Sequence, residues 1–164
     1  MKAPLALVLC TLAGMAFADC APEQRFLSCK IDGKARWLEV CVEGSAVVYR
    51  YGKPGAPELE LWERAEDIAY APWPGFGRTI WEEVTFVNGG YSYVVHGSID
   101  KGLAVQEAPN AVGGGVEVFE GARSIARLTC DPETVAFDWS DAISMAKAAA
   151  GLIWDPENQA WRRQ

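Results

Sequence analysis

Apolar and polar residues alternate in short runs through most of this chain. In the run 36–43, Leu38, Val40 and Val42 share one side of an extended chain, and the residues between them share the other. Gly, Pro, Asn and Asp interrupt such runs every few residues, as turns between antiparallel strands require. The pattern predicts an all-β domain.

The runs are arranged as local hairpins. Asp32-Gly33 separates the first two, and Asn88-Gly89-Gly90 separates the fifth and sixth, where Asn and Gly tolerate the positive φ of a tight turn. The predicted strands are 25–30, 36–43, 46–51, 58–63, 80–87, 91–96, 114–119 and 123–130. About eight strands with local connections predict a small antiparallel up-and-down barrel or a curved sandwich.

The pattern changes after Cys130. Ser140 can cap a helix that runs through Ile143 to a stop at Gly151. We expect this helix to be an appendage, and the end of the chain after Pro156 to be a loosely held tail. The β domain is therefore assigned to residues 19–132, and the C-terminal helix and tail to residues 133–164.

The N-terminus has the pattern of an export signal. Lys2 precedes an apolar run, and Ala16-Phe17-Ala18 matches a signal-peptidase cleavage site. This predicts a signal peptide over residues 1–18 and a periplasmic or secreted protein. No later hydrophobic segment approaches the length of a membrane span, so no span is expected after signal removal.

Four cysteines lie beyond the predicted cleavage site, and an even number in an oxidising compartment predicts two disulfides. Cys29 and Cys41 flank the predicted turn at Asp32-Gly33, which favours a Cys29–Cys41 bond. That pairing leaves Cys20 to bond with Cys130.

Charge narrows the class of partner. The chain has 15 Lys and Arg and 22 Asp and Glu; loss of Lys2 with the signal leaves 14 against 22, a net charge of −8. This balance makes nucleic acid a poor partner. It favours encounter with a basic protein, because long-range attraction speeds association.

Catalytic patterns are weak. His96 is the single histidine and lies near Ser98 and Asp100, but it stands at the end of a predicted strand without a nucleophile elbow. Glu82 and Glu83 are adjacent, and neighbours in a strand point to opposite faces, so they cannot form the acid pair of a glycosidase. We predict a non-enzymatic protein.

Metal and cofactor sites are not expected either. One histidine and four oxidised cysteines leave too few ligands for a transition metal, and no acidic loop has the EF-hand spacing. The run Gly113-Gly114-Gly115 precedes a strand, whereas a phosphate-binding loop opens a helix.

The best binding candidate is the segment 70–77, where Pro and Gly separate three aromatic residues, Tyr70, Trp73 and Phe76. Aromatic rings stack on sugars and anchor protein interfaces, so this loop predicts a protein or carbohydrate partner. The alternative is that the rings cover an open end of the barrel.

A second candidate is the long connection 97–113, which contains Asp100 and Lys101. It is either a binding loop or a crossover between strands.

Two segments resemble a family of small exported bacterial proteins of uncharacterised function. They are Tyr49-Arg50-Tyr51-Gly52-Lys53-Pro54, followed by Glu58-Leu59, and Phe86-Val87-Asn88-Gly89-Gly90-Tyr91-Ser92-Tyr93. The resemblance covers residues 29–130. It implies a signal peptide, an all-β domain and a periplasmic or secreted location.

An acidic, disulfide-linked, exported barrel of this size is also similar in architecture to the bacterial inhibitors of lysozyme. Their Ser-Gly-x-x-Tyr segment has no match here, so no inhibitory residue is carried over. We expect a binding protein. The most specific form of this hypothesis is that the protein inhibits a basic hydrolase such as lysozyme. A carbohydrate- or small-ligand-binding protein and an envelope structural or assembly protein are the alternatives.

Overall fold

The structure is a computed structural model that describes residues 20–164. The predicted signal peptide and the alanine-rich cleavage site lie outside the described residues. Among residues 20–164, no helix is long and apolar enough to cross a membrane.

A four-stranded antiparallel sheet is built from the first part of the chain, in the order β1-β2-β3-β4. Its strands are β1 (Arg25–Lys30), β2 (Trp37–Glu43), β3 (Ala46–Lys53) and β4 (Ala56–Arg64). Each strand pairs with its neighbour in sequence, so the hairpins predicted from the turns are confirmed here.

A five-stranded antiparallel sheet follows, in the order β5-β6-β7-β8-β9. Its strands are β5 (Ala69–Ala71), β6 (Thr79–Asn88), β7 (Tyr91–Asp100), β8 (Val112–Glu120) and β9 (Arg123–Thr129). A short helix, α1 (Lys101–Val105), lies between β7 and β8. The connection predicted over residues 97–113 is therefore shorter than expected, since both flanking strands extend into it.

The C-terminal region contains helix α2 (Ala142–Ala149) and then a hairpin of β10 (Leu152–Asp155) and β11 (Ala160–Arg163). The helix was predicted; the hairpin was not. The expected loose tail is wrong, because the indole N–H of Trp161 in β11 donates a hydrogen bond of 2.9 Å to the carbonyl oxygen of Tyr70. The Trp161 ring also stacks on the Tyr70 ring, with centroids 6.0 Å apart.

The predicted all-β class is confirmed, but within residues 20–164 the strands do not close into a barrel. Both sheets contribute to one hydrophobic core. Its fully buried members include Leu27, Leu38, Val40, Val47 and Tyr49 from the first sheet, Val84, Phe86, Val95 and Val116 from the second, and Ile143 from α2. The alternation in sequence is therefore the alternation between core and outer face.

The two disulfides exist, but the predicted pairing is wrong. Cys20 is bonded to Cys41, and Cys29 is bonded to Cys130. The predicted hairpin of β1 and β2 does form, yet Cys29 pairs across it with Leu38. Cys41 lies three residues further along β2, on the outer face with Glu39, whereas Cys29 faces the core. Residues on opposite faces of a sheet cannot be joined by a disulfide across the hairpin.

We expect tryptic peptide mapping without reduction to recover Cys20 linked to Cys41, and Cys29 linked to Cys130. Cleavage after Arg25, Lys30 and Arg36 places the cysteines in separate peptides. A peptide that links Cys29 to Cys41 would contradict the structure.

The same structure predicts a difference in stability between the two bonds. They close sequence separations of 21 and 101 residues. In the chain-entropy model, removal of the shorter bond (Cys20→Ala with Cys41→Ala) costs about 3 kcal/mol and removal of the longer one (Cys29→Ala with Cys130→Ala) about 5 kcal/mol. Urea unfolding of the two double variants measures the difference, and the reverse order would count against this account.

Candidate functional site

The loop between β5 and β6 holds an exposed aromatic side chain in a braced conformation. The indole N–H of Trp73 donates a hydrogen bond of 2.9 Å to the carbonyl oxygen of Phe76. Gly75 and Gly77 have φ of 89° and 96°, which lets the chain turn tightly on both sides of Phe76. The Phe76 side chain is left 72% exposed. The loop thus presents an apolar ring to solvent at a defined position.

The start of α1 lies against this loop. The Lys101 ammonium is 4.8 Å from the centre of the Trp73 ring, within the range of a cation–π contact. Asp100 caps α1 by accepting hydrogen bonds from the amides of Gly102 and Leu103, and it forms an ion pair of 3.0 Å with Arg78. The Leu103 amide and then the Arg78 guanidinium hold the pKa of Asp100 below its usual value.

Trp139, from the C-terminal region, also contacts Trp73. Its ring packs edge-to-face on Trp73 at 5.4 Å and remains 42% exposed. Its φ is 47°, which is rare for a bulky residue. Both neighbours are fastened to Arg25: Asp138 by an ion pair, and Ser140 by a hydrogen bond of 2.7 Å to the carbonyl oxygen. The surrounding structure therefore imposes the conformation of Trp139.

Trp73 thus contacts the other three residues of a set that we call the aromatic surface, Trp73, Phe76, Lys101 and Trp139: it contacts the side chains of Lys101 and Trp139 and the backbone carbonyl of Phe76. Three of the residues come from the two segments that the sequence singled out separately. The structure brings those segments together.

Tyr70 has a different place from the one expected. It lies in β5, not in the loop, and only 5% of it is exposed. Its ring packs against Phe26 and Trp161. Tyr70 is therefore a core residue, and it is unavailable to a ligand at the surface.

The hydroxyl of Tyr70 donates a hydrogen bond of 2.8 Å to Glu82 Oε1. Glu82 is 2% exposed, and its other carboxyl oxygen has no hydrogen-bond partner at normal geometry. Burial raises the pKa of Glu82 to about 7; the Tyr70 hydroxyl opposes the rise, the charge of Asp141 adds to it, and the Trp139 indole opposes it. Glu82 is thus a buried acid that takes up a proton near neutral pH.

The structure also shows where the residues of the rejected catalytic patterns lie. His96 packs beside Gly115 across the β7–β8 pair, and burial lowers its pKa. In the described part of the chain, no hydrogen bond joins His96 to Ser98 or Asp100. Over the same residues, no group of three His, Cys, Asp or Glu side chains is placed to hold a metal ion.

The sequence did not single out Trp139 or a buried role for Glu82. A signal for Glu82 was present, since it occupies an inward position of the alternating run 80–87. A carboxylate at such a position needs a partner, and Tyr70 supplies one. No comparable pattern marks Trp139, because its contact with Trp73 joins segments far apart in sequence.

Comparison with family models, with curated proteins and with solved structures found no match to this chain.

We expect the contribution of Glu82 to the free energy of unfolding to fall as pH rises, whereas the lowered pKa of His96 contributes in the opposite direction. Between the ordinary Glu82 pKa of 4.5 and its folded value of about 7, the folded state holds a proton that the unfolded state has released. From about pH 5 to about pH 8 this lowers the free energy of unfolding by about 2–3 kcal/mol.

Glu82→Gln should remove most of this loss, because the amide carries no charge at either pH. Urea unfolding at the two pH values measures it. Glu133→Gln is the control, since Glu133 is an exposed glutamate outside β6 and β7. An equal pH dependence in the Glu82→Gln variant and the unsubstituted protein would refute the assignment.

Proposed function

We propose that this chain is an exported, non-enzymatic binding protein that contacts a basic protein partner through the aromatic surface. The observation that carries the proposal is the exposure of Phe76 on a loop braced by Trp73. Trp139, which packs on Trp73, is also 42% exposed, and exposed apolar side chains grouped on one surface are typical of an interaction site.

The geometry of the surface supports a protein partner. Aromatic side chains supply much of the binding energy at protein interfaces. The Trp73 hydrogen bond and the imposed conformation of Trp139 fix the two indole rings before binding, which reduces the conformational entropy lost on association. This favours a rigid, shape-specific contact.

Charge supports a basic partner. A net charge of −8 on the chain after residue 18 attracts a positively charged protein over a distance. The two disulfides fit an oxidising compartment, such as the periplasm or the exterior. Inhibition of a basic hydrolase such as lysozyme is the sharpest form of the proposal, and rests on similarity of architecture alone.

We propose also that the two sheets form the two layers of a curved sandwich. The support is that residues of both sheets enter the same core cluster. A rigid two-layer scaffold would hold the β5–β6 loop and α1 at one edge.

A carbohydrate partner is the second candidate. It is favoured by the packing of Trp73 on Trp139, where the Trp139 indole remains 42% exposed. Tryptophan rings stack on the apolar faces of sugars. This candidate predicts that Trp139→Ala abolishes sugar binding while the charge of the partner is irrelevant.

The proposal predicts stoichiometric inhibition of, or binding to, lysozymes of several types by the oxidised chain that starts at residue 19. Phe76→Ala should weaken the complex by about thirtyfold, as truncation of an interface anchor does. Titration into lysozyme assays and calorimetry at low and moderate salt measure both effects. Association should slow as salt rises.

Met145→Ala is the matched control, because Met145 is 67% exposed on α2 and is not among the contacts of the aromatic surface. An unrelated protein of similar net charge controls for nonspecific attraction. Absence of binding to all the basic proteins tested, or equal affinity of the Phe76→Ala variant, would defeat the proposal.

A further inference from the structure

A cleft of about 280 Å³ opens on the four-stranded sheet. It is separate from the residues of the aromatic surface. Its lining residues are Ser28, Trp37, Glu39, Arg50, Tyr51, Gly52, Lys53, Pro54 and Pro57. The walls are mostly apolar, and three of the nine lining residues, Glu39, Arg50 and Lys53, are charged.

A backbone irregularity shapes one end of the cleft. The pairing of β3 with β4 shifts register between Tyr51 and Gly52. Gly52 has φ of 146°, and a Cβ there would lie 2.4 Å from the amide nitrogen of Glu58. Only glycine fits this approach, and the bulge directs the 53–57 turn and its two prolines into a wall.

At the floor of the cleft, Arg50 is held mainly by two carboxylates that lie outside the lining. Its guanidinium nitrogens are 2.6 Å from Glu43 and 2.9 Å from Glu60. Burial lowers the pKa of Arg50, but the bonds to Glu43 and Glu60 outweigh this and raise it above its usual value. Arg50 is therefore a fixed cation that is already matched in charge.

Glu39 is bound much more loosely. It is 8% exposed, yet its two polar contacts, with Arg50 Nη1 and with the Cys20 amide, are both 3.4 Å long. A carboxylate offers about four acceptor positions, and good N–H···O bonds are about 2.7–3.2 Å long. Glu39 thus has acceptor capacity left beside Arg50 and the Cys20 amide, in a buried position where a weakly bonded charge is costly.

Trp37 supplies the complementary wall. It lies two residues before Glu39, on the same outer face of β2, and is 37% exposed. An indole face beside a carboxylate is a favourable setting for a cation on an apolar stem, because both groups attract positive charge. A neutral apolar ligand would use Trp37 but leave Glu39 unmet.

We infer that this cleft binds a primary ammonium group on an unbranched apolar stem, as in a lysine side chain. The ammonium lies at Glu39, and the stem packs on Trp37 and the two prolines. Lys53, which is exposed at the rim, contributes nothing favourable to such a ligand. This site does not depend on the aromatic surface, and the inference stands apart from the proposed function.

The test uses Nα-acetyl-lysine methylamide and its norleucine counterpart, which has the same stem without the ammonium. Titration of each into the oxidised protein is followed by protein NMR, at tens of millimolar ligand. The lysine probe should shift the Trp37 indole signal and bind about tenfold or more tightly than the norleucine probe. Failure of the lysine probe to bind, or equal binding of both, would overturn the inference.

Variants locate the site. Glu39→Gln should weaken the lysine probe by about tenfold or more, because a charge-assisted hydrogen bond is lost. Trp37→Leu should weaken it by about fivefold, and it serves if Glu39→Gln is poorly folded. Glu157→Gln is the control, since Glu157 is an exposed glutamate in the β10–β11 turn and does not line the cleft.

The Lys53→Gln variant tests whether the charge of Lys53 takes part in binding. For a cationic ligand, loss of the Lys53 charge leaves affinity unchanged or improves it. Weaker binding of the lysine probe in the Lys53→Gln variant, with no effect of Glu39→Gln, would place the ammonium away from Glu39 and would overturn the inference.

Discussion

The bond between Cys29 and Cys130 joins the first strand of one sheet to the end of the last strand of the other. Backbone contacts reinforce it, because Ile31 and Cys130 form a β-bridge and the Asp131 amide donates to the Lys30 carbonyl oxygen. Everything after Cys130 starts from this junction. The positions of Trp139, of α2 and of the last hairpin therefore depend on a contact between residues about a hundred positions apart.

Local chemistry was sufficient to predict most of the strands, because each turn could be recognised from its own residues. Asn88-Gly89-Gly90 indicates the β6–β7 hairpin without any knowledge of the rest of the chain. The cysteine pairing could not be derived in this way, since it depends on the register of β1 against β2, in which Cys29 lies opposite Leu38 and not opposite Cys41. The three residues of β5 are too few for a visible alternation, and β11 is held largely by Trp161.

In the candidate surfaces, too, single residues could be identified from local sequence, whereas contacts between distant segments could not. Trp73, Phe76 and Lys101 could be recognised from the sequence as candidate binding residues, because they lie in segments for which no regular structure was predicted. That they meet is a property of the fold, as is the burial of Tyr70 beside Glu82. The cleft on the first sheet was missed, because its residues look like an ordinary outer face until the bulge at Gly52 turns the 53–57 segment over Trp37.

The disulfide pairing also bears on maturation of the chain. Synthesis proceeds from the N-terminus, so Cys20, Cys29 and Cys41 are all made before Cys130. The bond between Cys20 and Cys41 needs only the first part of the chain, whereas the native partner of Cys29 follows the whole second sheet. Once the β1–β2 hairpin has formed, Cys29 faces the core and Cys41 the outer face, so the register of this hairpin disfavours a bond between them.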